Sequence, residues 1–197
     1  PSAGHDAGIS MGAAFYANHH LLGGKRQKPI YSAYTGPSFT NDQIEAVLQA
    51  NGVEYKLLTD QNICDIVSDK LMEGGVVGWF TGRAEFGPRA LGNRSLIADV
   101  RYDVQDTVNT IKRRQKYRPF APAVLEEYAE EYFSGPMNDH MQFTSKALHD
   151  YAPVTHVDGT ARVQIVKKDC ESIFRKVIEE YHDRTGVPML LNTSLNI

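Results

Sequence analysis

"EGGVVGWFTGRAEFGPRALGNRSLIADV", residues 73–100, sets an apolar run, a Gly- and Arg-rich turn and a second apolar run side by side. Gly74-Gly75 stop a preceding amphipathic helix, VVGWF (76–80) reads as a buried strand, and SLIADV (95–100) reads as the strand that leaves the turn. Between them lie Arg83, Arg89 and Arg94, with glycines at 82, 87 and 92 and Pro88. A helix avoids Gly and Pro in its interior, where they cost about 1–3 kcal/mol. A central strand avoids Pro because it cannot donate to the ladder. A bent loop remains. Glu85 is the only acid between residues 76 and 98, so local pairing cannot satisfy three guanidiniums. Arg matches phosphate or carboxylate oxygens with a planar fork, glycines let backbone N–H groups approach the same anion, and Asn93 and Ser95 add neutral donors. The loop reads as an anion binder.

Outward from this loop, helices alternate with short strands. Thr40 opens a helix as N-cap, with Gln43 three residues on; Ile44, Val47 and Leu48 form its apolar stripe and Gly52 ends it. VEYKLL (53–58) reads as a strand and residues 60–73 as a second helix. Helical patterns follow at about 103–115 and 125–133, RVQIV (162–166) alternates as a half-buried strand, and helix 171–185 ends at Gly186 before a last strand at 188–194. Near the start, a small-residue helix runs from about Ser10, followed by a linker-like stretch at 23–38. The pattern is α/β or α+β with a mixed sheet.

The 197 residues carry 21 basic and 24 acidic side chains, for a formal charge of −3, and 42% are hydrophobic. That is the composition of a soluble globular protein, and it gives no global electrostatic case for nucleic acid. No run is long and apolar enough to span a bilayer and no signal peptide is visible, so no membrane partner is expected. Cys64 and Cys170 show no metal-type spacing and read as reduced thiols of a cytoplasmic protein. The chain opens on Pro1 and stops at LLNTSLNI, and is expected to be cut from something longer.

Three further motifs bear on chemistry. In KRRQKYRPFAPAV (112–124), Lys112, Arg113 and Arg114 fit a helix's last turn, whereas Lys116 and Arg118 precede two backbone-fixing prolines and offer a second anion contact. In THVDGTARVQIV (155–166), Asp158-Gly159 reads as a hairpin turn, with His156 and Arg162 as its polar flanks. Asn192, Thr193, Ser194 and Asn196 emerge at a strand end, where open sheets bind ligands. In AGHDAG (3–8), Asp6 reads as a turn residue among glycines and His5 as a bystander; no paired ligand spacing accompanies them.

Taken in order, GRAEFGPRALGNRS, RPFAPAV, THVDGTARVQ and GVPMLLNTSLN resemble the O-carbamoyltransferases that decorate Nod factors, cephamycins and aminoglycosides. The opening AGHDAGISMGAAFY resembles the tail of that family's first, actin-like (kinase-like) domain. The resemblance implies residues 1–30 as a remnant of that domain plus linker, and 31–197 as a YrdC-like module with a mixed twisted sheet and flanking helices. It implies joining of carbamoyl phosphate to ATP with magnesium as carbamoyl adenylate, for transfer to a small-molecule hydroxyl. Arg83, Arg89 and Arg94 are then the catalytic guanidiniums, and Asn93, Ser95, Lys116, Arg118, Asn192 and Ser194 the nucleotide- and substrate-binding residues. Asp6 matches an aspartate that helps hold a transition metal, iron or similar, in the full-length enzyme. The match departs from the family between Lys112 and Arg118, where an extra residue and an Arg-Glu pair are usual, and at Leu195, where Phe is common. The histidines that would share Asp6's metal are absent. A non-catalytic nucleotide- or RNA-binding module of the same fold is the alternative.

Overall fold

The computed structural model describes the chain except residues 1, 2, 5, 27, 30, 31 and 197. Helix α1 (Gly8–Tyr16) runs into a π-turn at Ala17–Leu21. Helices α2 (Asn41–Ala50) and α3 (Asp60–Met72) lead into strands β1 (Val76–Phe80) and β2 (Arg94–Ala98), which flank the arginine loop. Helix α4 (Gln105–Ile111), β3 (Ala121–Leu125), a short α5 (Ala129–Tyr132), β4 (Phe133–Ser134), β5 (Ser145–Ala147), β6 (Thr160–Ala161), β7 (Gln164–Val166), α6 (Ile173–Thr185) and β8 (Met189–Ser194) complete it. The fold is mixed α/β.

The main sheet runs β1-β2-β8-β3-β7, antiparallel at every step except the parallel pair β3–β7, and a small sheet β4-β5-β6 stands apart from it. Strand β8 lies at the centre because Met189–Leu191 are apolar on both faces and fully buried. Helices α3 and α6 cover one face. Cys64, Val67 and Leu71 meet Phe174, Val177, Ile178 and Tyr181 in one core with Ile97 and Val124. Each such aliphatic or aromatic side chain contributes roughly 1.5–3 kcal/mol by leaving water. Above this core Arg184 ties the two helices, pairing with Asp65 and Asp69 of α3.

The helix ends follow their local signals. Thr40 Oγ1 accepts from Gln43 N at 3.3 Å while Gln43 Oε1 accepts from Thr40 N at 3.0 Å, a reciprocal capping box. Thr59 and Ser172 cap α3 and α6 with their hydroxyls, and Gly186 ends α6 in the left-handed region at φ 73°.

Seven expectations are corrected. Residues 53–58 form no strand: they are mostly exposed and no strand among the described residues pairs with them. The stripe of α2 buries nothing; Ile44 and Val47 are exposed beside Phe39 and Phe80. Strand β1 is an edge with only Trp79 buried. β7 is buried at all three positions, since a parallel neighbour comes with cover on both faces. The Asp158-Gly159 turn forms, but Thr160–Ala161 joins the small sheet and Gln164–Val166 the main one, so Arg162 and Val163 sit where the chain changes sheets rather than in a hairpin. Helix α4 also stops at Ile111, because Arg113 takes a left-handed φ of 51°. Residues 33–37 are not free linker: Phe86 N donates to Ala33 O, Ala84 N to Pro37 O and Gly36 N to Ala84 O, docking this segment on the arginine loop.

Candidate anion site

The three arginines of the loop part company. Arg83 donates to Gly36 O at 3.0 Å and Thr35 O at 2.8 Å. Arg94 donates to the carbonyls of Thr81, Asn93, Gly82 and Pro37, and its guanidinium stacks 3.6 Å above Phe80. Both therefore fasten residues 35–37 and the loop itself. Glu85 neutralises neither: its Oε1 accepts from the backbone N–H groups of Leu91, Asn93 and Arg94 at 2.8, 2.9 and 3.2 Å. Those N–H groups, together with Gly92 N, which donates to Ser95 Oγ, are occupied within the loop and are not a cradle for an anion. Arg89 alone of the three makes no hydrogen bond or ion pair to another described residue.

Arg89 faces a cavity of about 270 Å³ that also receives Arg114, Arg118 and Arg162. Among the described residues its lining contains four guanidiniums and no Asp or Glu. They arrive from three separate segments, with Arg89 in the loop between β1 and β2. Arg114 and Arg118 follow α4, Arg162 comes from the crossing between β6 and β7, and Asn192, Thr193 and Ser194 from the end of β8. Buried Asn109 shapes the second segment: its Nδ2 donates to Lys116 O and Arg118 O at 2.9 and 3.0 Å, and its Oδ1 accepts from Arg114 Nε at 2.6 Å. Arg114 also lies 4.5 Å over the Phe120 ring. Partial desolvation, and then the charge of Arg162, hold Arg89 below the usual guanidinium range; Arg114 is lowered by burial and then by Arg118. The cations are crowded, and a bound anion offsets that repulsion.

Two further groups shape the wall. Lys112 is buried and donates to Asn196 Oδ1 at 2.7 Å, Asn196 O at 3.0 Å and Ser194 Oγ at 3.2 Å, which fixes the end of β8. Burial first, and Arg114 second, push its ammonium down to about 8. The hydroxyl of Thr160 donates to Asp158 Oδ1 at 2.7 Å, so its oxygen accepts from His156 Nδ1–H at 3.0 Å. That tautomer leaves Nε2 as the ring's acceptor. Burial, reinforced by Arg162 and opposed by Asp158, lowers the pKa of His156 below the ordinary imidazole value. His156 is neutral at neutral pH.

Of the residues named from sequence, the structure brings Arg89, Arg118, Asn192 and Ser194 to this cavity. It does not bring Arg83, Arg94, Asn93, Ser95 or Lys116. Asn93 Nδ2 donates to Arg83 O at 2.7 Å, and Arg83 and Asn93 line a separate cavity of about 400 Å³ beyond Leu91. Ser95 is fully buried inside the loop, and Lys116 pairs with Asp106 at 2.8 Å on the open surface. Asn192, read as a donor, has spent its nitrogen on Ala90 O and Gln164 Oε1. Arg114, Arg162 and His156 also line the arginine cavity, although in the sequence they read as a helix end and turn flanks. Asp6 is exposed in a turn before α1, His5 lies outside the described residues, and no three potential ligands come together among the described residues.

Residues 68–197 match the family described as Carbamoyltransferase C-terminus. The chain is 40% identical over 205 residues to Nodulation protein NolNO of Sinorhizobium fredii, an alignment covering 98% of this chain and 30% of that protein. It is 38% identical to Nodulation protein NolO of Bradyrhizobium diazoefficiens, with 98% and 37% covered. It is 34% identical to Nodulation protein U of Rhizobium fredii, with 100% and 33% covered. The chain spans about a third of the length of these relatives.

Proposed function

We propose that this chain, which belongs to the carbamoyltransferase C-terminal family, binds the phosphate groups of carbamoyl phosphate and ATP and readies the carbamoyl group for transfer. The observation that carries the reading is the set of four guanidiniums around one small cavity with no carboxylate in its lining. Its 270 Å³ falls below the roughly 300–1,000 Å³ of pockets for drug-sized ligands, which suits carbamoyl phosphate or the polyphosphate end of magnesium-bound ATP, not a whole nucleotide. Fixed cations at that place offset the repulsion between two anionic substrates and stabilise the departing phosphate and pyrophosphate. Formation of carbamoyl adenylate from the two substrates takes up one water and releases both phosphate and pyrophosphate. His156, neutral and with Nε2 as acceptor, is the group at the wall that can take a proton from that water.

In the same reading the adenylate passes to a hydroxyl of a small sugar-like or antibiotic-like acceptor at a second site. The transition metal implied by the resemblance would belong to that second site. Calorimetric titration of the folded chain with carbamoyl phosphate, and separately with ATP and magnesium, tests the proposal. Heat of binding that disappears in Arg89→Ala supports it; a folded sample that binds neither ligand refutes it. RNA binding with a steep salt dependence would instead support the non-catalytic reading.

A further inference from the structure

The two carbonyls that follow Arg89 in the loop are held by a buried chain of side chains. Tyr34 Oη donates to Leu91 O at 2.9 Å, and Gln164 Nε2 donates to the same oxygen at 2.9 Å. A carbonyl only accepts, so the Gln164 amide has its nitrogen toward Leu91 and its oxygen toward Asn192. Asn192 Nδ2 donates to that oxygen at 2.8 Å and to Ala90 O at 3.2 Å. Gln164 is 2% and Asn192 1% exposed, so no water competes for these bonds. Flipping either amide would set oxygen against oxygen or nitrogen against nitrogen. Both orientations are therefore dictated by the backbone of the arginine loop.

What this leaves over is Asn192 Oδ1. It is buried, and the described residues supply it with no hydrogen-bond partner. Asn192 is also the only amide or carboxylate side chain in the lining of the arginine cavity among the described residues. A buried acceptor left unpaired costs free energy comparable to a lost hydrogen bond, and it calls for an explanation where it stands at a ligand wall.

We infer that Asn192 is a specificity-determining residue whose Oδ1 accepts a hydrogen bond from an N–H of the bound anion, and that Gln164 and Tyr34 are positioning residues that keep that oxygen presented. The inference rests on the carbamoyl phosphate reading above. The carbamoyl group carries an NH2 where acetyl phosphate carries a methyl and inorganic phosphate carries nothing. Either of the latter two leaves the oxygen unpaired on binding, and a site built around a hydrogen bond discriminates against analogues that lack it.

Dissociation constants of the full chain for carbamoyl phosphate, acetyl phosphate and inorganic phosphate test this. Wild type is expected to favour carbamoyl over acetyl phosphate on the order of ten- to a hundredfold. Asn192→Leu should bring that ratio close to one. Tyr34→Phe, a milder change that keeps the fold's packing, should lower it several-fold by loosening the Leu91 carbonyl. A wild-type chain that binds both acyl phosphates equally overturns the inference and leaves the anion site standing. A folded chain that binds none of the three phosphates overturns both. If Asn192→Leu does not fold, Tyr34→Phe decides: an unchanged ratio there overturns the positioning role.

Discussion

Alanine at position 89 removes a guanidinium with no hydrogen-bond or ion-pair partner among the described residues, whereas alanine at position 94 removes one that four carbonyls share. The two substitutions should therefore separate binding from stability. In Arg94→Ala the carbonyls of Thr81, Asn93, Gly82 and Pro37 lose their donor, and Phe80 loses the cation above it. At roughly 1 kcal/mol for each net hydrogen bond, discounted for those open to solvent, and about 0.5–1 kcal/mol for the stacking, the loss is about 3–4 kcal/mol. For a chain of this size that lowers Tm on the order of 10 °C. Arg89→Ala loses none of these contacts and relieves repulsion from Arg162, so its Tm should be unchanged or slightly raised. Its affinity for carbamoyl phosphate should fall on the order of ten- to a hundredfold, from about 1.5–3 kcal/mol for hydrogen bonds to a charged group. Arg89→Lys should lose nearly as much, since lysine keeps the charge without the planar fork. Scanning calorimetry and isothermal titration on the same samples read both quantities. Arg89→Ala melting as low as Arg94→Ala, or binding as tightly as wild type, would refute this division of labour between the two arginines.

Lys112 is a cation below about pH 8 and neutral above it, so anion affinity should drop as pH rises through that value and hold level in Lys112→Met; titrations from pH 7 to about 9.5 check the sign. Gly92→Ala should destabilise strongly, because a Cβ there lies 2.2 Å from Phe174 Cδ1 and the backbone has a φ of 98°; the conformational part alone costs about 1–3 kcal/mol, read as a lowered Tm. Lys116→Ala should leave ligand affinity within about twofold of wild type, since its exposed pair with Asp106 contributes at most about 1 kcal/mol to anything.

The elements that announce themselves locally are the ones that the sequence makes legible. Thr40 with Gln43, the Ser172 cap and Gly186 mark helix ends through bonds made within four residues, and the apolar runs at 76–80 and 189–194 are strands. The chemistry was legible as a class: too many guanidiniums for one acid. Which guanidiniums serve was not, because each role depends on carbonyls delivered from far along the chain. Thr35, Gly36 and Pro37 capture Arg83 and help hold Arg94 from a stretch that reads as linker. Glu85 looks like a counter-ion and acts as a backbone clasp. Arg114 looks like a dipole complement, but the left-handed turn at Arg113 ends the helix early and carries Arg114 to the cavity. Residues 53–58 have strand-like composition but no partner strand among the described residues, a fact that only the tertiary fold supplies.

The central claim is that one anion sits among Arg89, Arg114, Arg118 and Arg162, and a crystal structure of the full chain with carbamoyl phosphate tests it most directly. The expected result is phosphate density in the 270 Å³ cavity, with its oxygens within hydrogen-bond distance of at least two of these guanidiniums. Phosphate seated instead beside Arg83 and Asn93 in the neighbouring cavity, or absent from both at a saturating concentration, would contradict it.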